Sequence, residues 1–296
     1  MNKQTIYALG FFDGVHLGHG ALLEACRELA ARKDCAAGVI TFSSHPETLV
    51  LGAAPPMINF LKDRCDLLKN RYQMEKVVIL PFDKNLMEMP WQNFFRLLTE
   101  EYNAAGLVCG YDFRFGNRGE GTASLLKAAC DRENIPCVIV PEQKVDGITV
   151  SSTYIRRLLE TGEMKQANRF LGHPHILTGK VIMGKQLGRT IGIPTANLEL
   201  PDALVQLKFG VYACRAAVDG CTYLAVTNVG TCPTVEGKNI TVESWLLDFD
   251  GSLYGKELTL SFYEFLRPEK KFPTLWDLQE EIRKNAVEVR KIFEKS

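Results

Sequence analysis

The chain carries no excess charge. Lys plus Arg number 35 and Asp plus Glu number 35, so the formal net charge is zero over 296 residues. The broad electrostatic footprint of a DNA, RNA or acidic-membrane binder is therefore missing, and any polyanion must be held by local groups. There is no C-x-x-C either. The nine cysteines are odd in number and scattered, which gives neither a disulfide framework nor zinc-ligand spacing. Free thiols at this density point to a reducing cytosol. No apolar run approaches the roughly 18 residues of a membrane span. Asp13 interrupts the short apolar stretch 6–12, which argues against a secretory leader. No repeat and no low-complexity segment is present. What is there is ordinary globular composition, 46% apolar and 24% charged. At roughly 150 residues per domain the length suits about two domains, each able to bury a core.

The first half alternates strand and helix. Residues 5–9, 38–42, 77–80, 107–109 and 137–140 read as short buried strands, and residues 18–33, 60–72, 91–102 and 122–134 as helices by apolar steps of three and four. Five such strands imply right-handed crossovers and a parallel sheet with helices on both faces. Ligands of such sheets bind beyond the carboxyl ends of the strands, so the loops after residues 9, 42 and 109 are expected to meet. The second half changes character. Two short helices, 152–160 and 163–171, precede strands at 176–183, 211–218, 223–229, 240–247 and 258–265. Asp219-Gly220, Glu236-Gly237 and Asp250-Gly251 read as hairpin turns. Residues 197–208 read as loop. A last helix, about 274–294, has Leu275, Leu278, Ile282, Val289 and Phe293 as its apolar stripe. This half is a small antiparallel barrel closed by a helix. The boundary falls at Gly172-His173-Pro174, giving domains 1–173 and 174–296.

Two clusters carry chemistry. Gly10-Phe11-Phe12-Asp13-Gly14-Val15-His16-Leu17-Gly18-His19 joins the first strand to the first helix. His16 and His19 share a helix face, and Gly18 between them leaves room for close approach. With the unpaired N–H groups of the helix start they form an anion site that needs no Lys or Arg. Ser151-Ser152-Thr153-Tyr154-Ile155-Arg156 reads either as a plain cap or as a phosphate clamp closed by Arg156. Asp112-Phe113-Arg114-Phe115-Gly116 is either ordinary packing or a ring-binding loop. In the second half, Gly184, Gly188 and Gly192 allow backbone approach to a ligand, with Lys185 and Arg189 among them. Gly179 to Lys185 mimics a P-loop, but Gln186 stands where Ser or Thr must bind magnesium. Thr195 and Asn197, after Pro194, offer hard neutral oxygens suited to Mg²⁺ that keeps waters and phosphate oxygens. Glu243 shares a strand face with Trp245 and Leu247, where a carboxylate is costly unless used or paired; a solvent-facing Glu is the alternative.

Gly10-x-Phe12-Asp13-Gly14-Val15-His16-x-Gly18-His19, the Asp112-to-Gly116 loop and Val150-Ser151-Ser152-Thr153-x-Ile155-Arg156 together resemble the adenylyltransferase module of bacterial bifunctional riboflavin kinase/FAD synthetases. Gly188-Arg189-x-x-Gly192-x-Pro194-Thr195-Ala196-Asn197, Asn228-Val229-Gly230-Thr231 and Phe265-Leu266-Arg267-Pro268-Glu269 resemble its riboflavin kinase module. The resemblance implies a nucleotidyltransferase-like α/β domain followed by a kinase barrel. It implies phosphorylation of riboflavin to FMN, then transfer of AMP from ATP to FMN with release of pyrophosphate. His16 and His19 would hold ATP phosphates within the Gly10, Phe12, Asp13 and Gly18 loop. Ser152, Thr153 and Arg156 would take the departing phosphates, and Asp112, Phe113, Arg114 and Phe115 would face FMN. Thr195 and Asn197 would hold Mg²⁺, Glu243 would be the base, and Arg267 would lie near flavin. The partners are then small molecules in the cytoplasm, with no nucleic acid and no membrane. Phe11 stands where Asn is usual, Ser44 where Pro is common, and Tyr154 lies inside the Ser-Ser-Thr motif. Phe11 is the departure that would weaken adenylyl transfer, which leaves a kinase-only enzyme as the first alternative. A non-catalytic flavin- or RNA-binding regulator is the second.

Overall fold

The computed structural model describes residues 3–52, 55–184, 187–200, 203–234 and 237–294, so Lys185 and Glu236 lie outside it. Two compact units divide the chain, Met1–Ser152 and Thr153–Ser296.

The first unit is built on five parallel strands in the order β3-β2-β1-β4-β7. They are β1 (Thr5–Leu9), β2 (Ala36–Phe42), β3 (Lys76–Leu80), β4 (Ala104–Gly110) and β7 (Cys137–Val140). All five residues of β1 are buried, as a central strand covered on both faces requires. One face packs on α1 (Leu17–Lys33) through Leu23, Cys26 and Leu29. The other packs on Phe94, Leu98, Leu126 and Cys130, from α5 (Trp91–Arg96), the turn after it and α6 (Ala123–Arg132). Short helices α2 (Pro46–Leu51), α3 (Leu61–Asp66) and α4 (Lys84–Met87) occupy the connections. Two-residue ribbons β5–β6 (Arg114–Phe115, Gly121–Thr122) and β8–β9 (Lys144–Val145, Ile148–Thr149) stand apart from the sheet. Two expected helices are shorter as α-helix than their apolar spacing suggests. Residues 60–72 resolve into α3 followed by a π-helical turn, Leu67–Arg71, and residues 91–102 into α5 followed by another, Leu97–Glu101. Each closes with an i→i+5 bond, Tyr72 N–H to Leu67 O and Tyr102 N–H to Leu97 O. A five-residue π turn leaves too weak a trace on a 3.6-residue periodicity to be read from spacing.

The second unit begins at Thr153, one residue into α7 (Ser152–Thr161), and continues through α8 (Met164–Leu171) to a closed antiparallel barrel, ordered β10-β11-β14-β13-β12-β15. Its strands are β10 (His175–Ile182), β11 (Ala196–Glu199), β12 (Gly210–Val218), β13 (Cys221–Thr234), β14 (Gly237–Leu246) and β15 (Glu257–Pro268). β11 corrects the loop expected at 197–208. It is four residues long, too short for alternation to stand out, yet it pairs with both β10 and β14 and closes the barrel. The Asp219-Gly220 hairpin is present, both residues at positive φ. Asp250-Gly251 is not a hairpin turn but part of a ten-residue connection between β14 and β15. Helix α10 (Leu275–Glu294), with α9 (Leu187–Thr190) as a single turn before β11, completes the unit. The stripe expected on α10 is partly wrong. Val289 is buried against the outside of the barrel as expected, but Leu275 is 49% exposed, and Ala286 and Asn285, which the stripe left out, are buried.

His175 is fully buried at the start of β10, and neither ring nitrogen has a hydrogen-bond partner among the described residues. Its backbone N–H donates to Asn168 Oδ1, and Asn168 Nδ2 donates to Phe262 O, so the ring is fixed between α8 and the barrel. Burial, helped by His173, lowers its pKa from 6.5 to about 3. The unfolded chain takes up a proton below pH 6.5 that the folded chain refuses until about pH 3, so stability is lost as pH falls through that window. Between pH 7.5 and 5.5 urea unfolding of the intact chain should lose roughly 1.4 kcal/mol that His175→Leu does not lose. An equal loss in both proteins would remove His175 as the cause.

Candidate active sites

The strand order of the first unit reverses between β1 and β4, and the loop after β1 lies at that switch point. Phe12, Gly14 and Val15 all take positive φ, at 62°, 77° and 40°. For buried Phe12 and Val15 that conformation is sterically poor, at a cost of order 1–3 kcal/mol each, and the surrounding packing must hold it. The strained loop delivers His16 as the N-cap of α1, where its Nδ1 accepts the His19 N–H at 3.3 Å. The two imidazoles stack with centroids 3.7 Å apart and planes 12° apart, and His19 leans on Phe12 at 5.1 Å. A side chain at Gly18 would begin 3.1 Å from the His16 ring, so the stack needs that glycine. Burial chiefly, then His16, then Arg64, hold the His19 pKa well below 6.5, so the ring is neutral at pH 7.

Around this stack the expected residues separate. Gly10 lies at the carboxyl end of β1 with the Phe12 ring against it. Asp13 is buried, and its Oδ1 accepts the N–H of Ile58 and of Asn59, at 2.9 and 3.3 Å. It anchors the chain entering α3. Ser152 Oγ donates to the Asp13 carbonyl and fastens the same loop. Thr153 is exposed and Arg156 half-buried on α7. A cavity of about 1090 Å³ is lined by Phe42, Pro46, Phe82, Phe94, Arg114 and Phe115, among others. Arg114 and Phe115 thus face a space fit for a flat ring. Phe113 instead stacks behind Phe115 at 5.5 Å, and Asp112 is exposed outside the lining. Phe11 was the unusual residue of the loop. Its ring lies under the Arg64 guanidinium, 4.2 Å from the centroid, and edge-on to His45 at 4.7 Å.

The second unit builds its site from strand register. Asn197 on β11 is opposite Glu243 on β14, Glu243 is opposite Asn228 on β13, Asn228 is opposite Val211 on β12, and Val211 is opposite Arg267 on β15. Directly opposed residues share a face, so these five form one rank across the outside of the barrel. Glu243 is half-buried and lines a cleft of about 220 Å³ with Thr195, Asn228, Trp245, Arg267 and Asn285. It is not a solvent-facing carboxylate. Thr195 also lines a second cavity of about 100 Å³, beside Pro194, Ser244, Phe249 and Tyr254. One hydroxyl therefore borders both spaces. A side chain at Gly184 would begin 2.4 Å from the Asn197 amide, and one at Gly188 2.2 Å from Ile193 O, which explains both glycines as clearance. Gly192 takes φ 68° just before Ile193-Pro194. The backbone of Arg189 belongs to α9.

Arg267 Nε and Nη2 donate to Asn285 Oδ1 at 3.2 and 3.0 Å, with Glu281 at 3.5 Å and Pro268 O taking Nη1. The guanidinium ties β15 to α10 and walls the cleft. Spacing alone missed Asn228, Asn285 and Arg64. Asn285 had a readable sign, a polar residue between Ile282 and Val289 on the apolar stripe. Asn228 stood in the Asn228-Val229-Gly230-Thr231 stretch that carries the resemblance, but only the register set it beside Glu243.

A family model for FAD synthetase matches residues 1–154, and one for riboflavin kinase matches residues 171–293. A bifunctional riboflavin kinase/FMN adenylyltransferase of Listeria monocytogenes is 33% identical over 98% of this chain and 93% of its own. The Escherichia coli enzyme of the same name is 33% identical over 97% and 92%. A crystal structure from Streptococcus pneumoniae, described as a macrolide-efflux protein, superposes with a TM-score of 0.88 at 29% identity, covering 98% of this chain and 95% of that one. Efflux is said of that protein alone; among the described residues here no helix is long and apolar enough to cross a membrane. Two tandem domain matches and relatives aligned over nearly the whole chain establish that it belongs to the bifunctional riboflavin kinase/FMN adenylyltransferase family, an enzyme with its FAD synthetase domain first and its riboflavin kinase domain second.

Proposed function

We propose that residues 174–296 phosphorylate riboflavin and that residues 1–173 adenylylate the resulting FMN, with the roles assigned as follows. Riboflavin occupies the cleft beside Trp245 and Arg267. Glu243 accepts the proton of the ribityl hydroxyl as its oxygen attacks the γ-phosphorus of ATP, and ADP leaves. Thr195 and Asn197 offer the hydroxyl and amide oxygens that suit Mg²⁺, which when bound neutralises phosphate charge. Thr195 borders both cavities, so the γ-phosphate and the hydroxyl can meet beside it.

Within residues 1–173 a phosphate oxygen of FMN attacks the α-phosphorus of ATP and pyrophosphate leaves. No covalent enzyme step is needed, so the protein aligns reactants and stabilises charge. The His16–His19 stack and the start of α1 hold the phosphates. Ser152, Thr153 and Arg156 receive the pyrophosphate, and Arg114 and Phe115 face the flavin. Cysteines on both units, among them Cys26, Cys65, Cys109 and Cys221, are free thiols, which supports a cytoplasmic setting.

The observation that carries this reading is the Asn197–Glu243–Asn228 rank beside Thr195, matched in the other unit by the stacked imidazoles. Phe11 is spent on Arg64 and His45 and leaves the imidazole pair intact, which favours two activities over a kinase alone. Chromatography of riboflavin incubated with MgATP and the enzyme should show FMN, then FAD. FMN without FAD, even when FMN is supplied, would leave only the kinase. No turnover of either flavin would overturn the whole assignment.

A further inference from the structure

Arg64 is the largest fully buried side chain of the described residues, at 1% exposure. It lies on α3, yet its guanidinium reaches the end of β2 and the loop after β1. Nη2 donates to the Phe42 carbonyl at 2.6 Å, just where β2 ends. The guanidinium lies over the Phe11 ring in the loop after β1, and Thr41 Oγ1 ties that loop to β2 by donating to the Phe11 carbonyl at 2.9 Å. Nε and Nη1 are buried with no hydrogen-bond partner among the described residues. Burial pulls the Arg64 pKa down, and the Asp13 carboxylate pulls it back up. That carboxylate already accepts two backbone N–H groups through Oδ1, so it compensates the cation only in part.

A buried cation with two unmet donors is expensive to hold, because its desolvation is only partly offset. Its place accounts for the expense. Neither Gly10-to-His19 nor Thr41-to-Leu49 contains a Lys or Arg, so these two loops bring no cation of their own. His19, held neutral by burial, is a polarised group rather than a full charge. A point charge held behind Phe11 in a low-dielectric wall acts over a longer range than one in water. This inference rests on the nucleotide assignment made above for the first unit.

We propose that Arg64 is a positioning residue of the adenylyltransferase site: a buried cation, screened from solvent by Phe11, that draws the ATP polyphosphate onto the His16–His19 stack and pins the two loops that receive it. It touches no reacting atom. Its effect is on nucleotide affinity, and it belongs to one half of the enzyme only.

The test uses the whole chain, because the kinase half reports independently on integrity. KM for MgATP and kcat are measured for FMN adenylylation and, separately, for riboflavin phosphorylation, in wild type, Arg64→Met and Arg64→Lys. Arg64→Met should raise KM for MgATP in adenylylation by at least about tenfold, with kcat and the KM for FMN changed less than about threefold. Arg64→Lys, which keeps the charge and loses the planar fork, should stay within about threefold of wild type. Riboflavin phosphorylation should be unchanged in all three. Equal damage by Lys and Met would make the guanidinium a purely structural tie and overturn the proposal, as would an unchanged KM in Arg64→Met. Should Arg64→Met lose its fold, Arg64→Lys decides: a rise of about tenfold in KM overturns the proposal, and a value near wild type upholds it. Absence of adenylylation in wild type would instead defeat the underlying assignment.

Discussion

Glu243→Gln is expected to stop the enzyme at riboflavin while leaving conversion of supplied FMN to FAD intact. The carboxylate is placed by pairing on both sides, Asn197 from β11 and Asn228 from β13, so its position follows from the ladder and not from a mobile loop. Gln has nearly the same volume and keeps the strand, the cleft wall at Trp245 and the neighbouring amides. Only proton acceptance is lost. A positioned general base contributes about 10²–10⁴-fold, so kcat for FMN formation should fall within that range. KM for riboflavin should change little, because the cleft keeps its shape. Chromatography with riboflavin and, in a parallel reaction, with FMN as substrate reads both halves. A kcat decrease of less than about tenfold would remove Glu243 as the base. Loss of FAD formation from FMN in the same variant would show damage beyond the barrel.

The parts of this architecture that could be read from sequence are those governed by burial and spacing. The core strands read as apolar runs because a central parallel strand is covered on both faces; β1 is buried from end to end. Once the sheet is parallel, the loops after β1 and β2 must share an end, and Thr41 does bond Phe11 there. His16 and His19, three residues apart at the helix start, were readable as sharing a face; that their rings stack was not. Register was not readable. Glu243 stood alone in a strand until pairing placed Asn197 and Asn228 beside it, and β11 had too few residues to announce itself. Arg64 was hidden for a different reason. On a helix whose apolar face is Leu61, Cys65, Leu68 and Tyr72, a charged residue one step aside reads as solvent-facing, since Arg is almost never fully buried without a partner. Asp13, which the resemblance places in the nucleotide loop, has a structural task that spacing could not show: its Oδ1 accepts the backbone N–H groups of Ile58 and Asn59.

His19→Ala is expected to reverse the Glu243 phenotype, so that riboflavin is converted to FMN and FMN accumulates. The imidazole is neutral at pH 7 because burial, His16 and Arg64 all disfavour its protonated form. It therefore offers an N–H or a lone pair, not a full charge, and what it contributes is a preorganised contact to phosphate oxygens as charge builds on them. Removing one such contact costs about 10²–10³-fold in kcat, and adenylyl transfer should fall by that amount with riboflavin phosphorylation untouched. His19 is the better probe of the pair. His16 also caps α1 by accepting the His19 N–H, so His16→Ala removes a cap worth about 1 kcal/mol together with the imidazole. His16→Asn separates the two effects, since Asn keeps a cap oxygen and loses the ring. Because the folded His19 titrates well below pH 6.5, lowering the pH from 8 to 6.5 should leave wild-type adenylyl transfer unaffected through this group. A steep loss across that interval, absent in His19→Ala at its lower rate, would mean that the ring is charged in the working enzyme and that the stack binds phosphate as a cation.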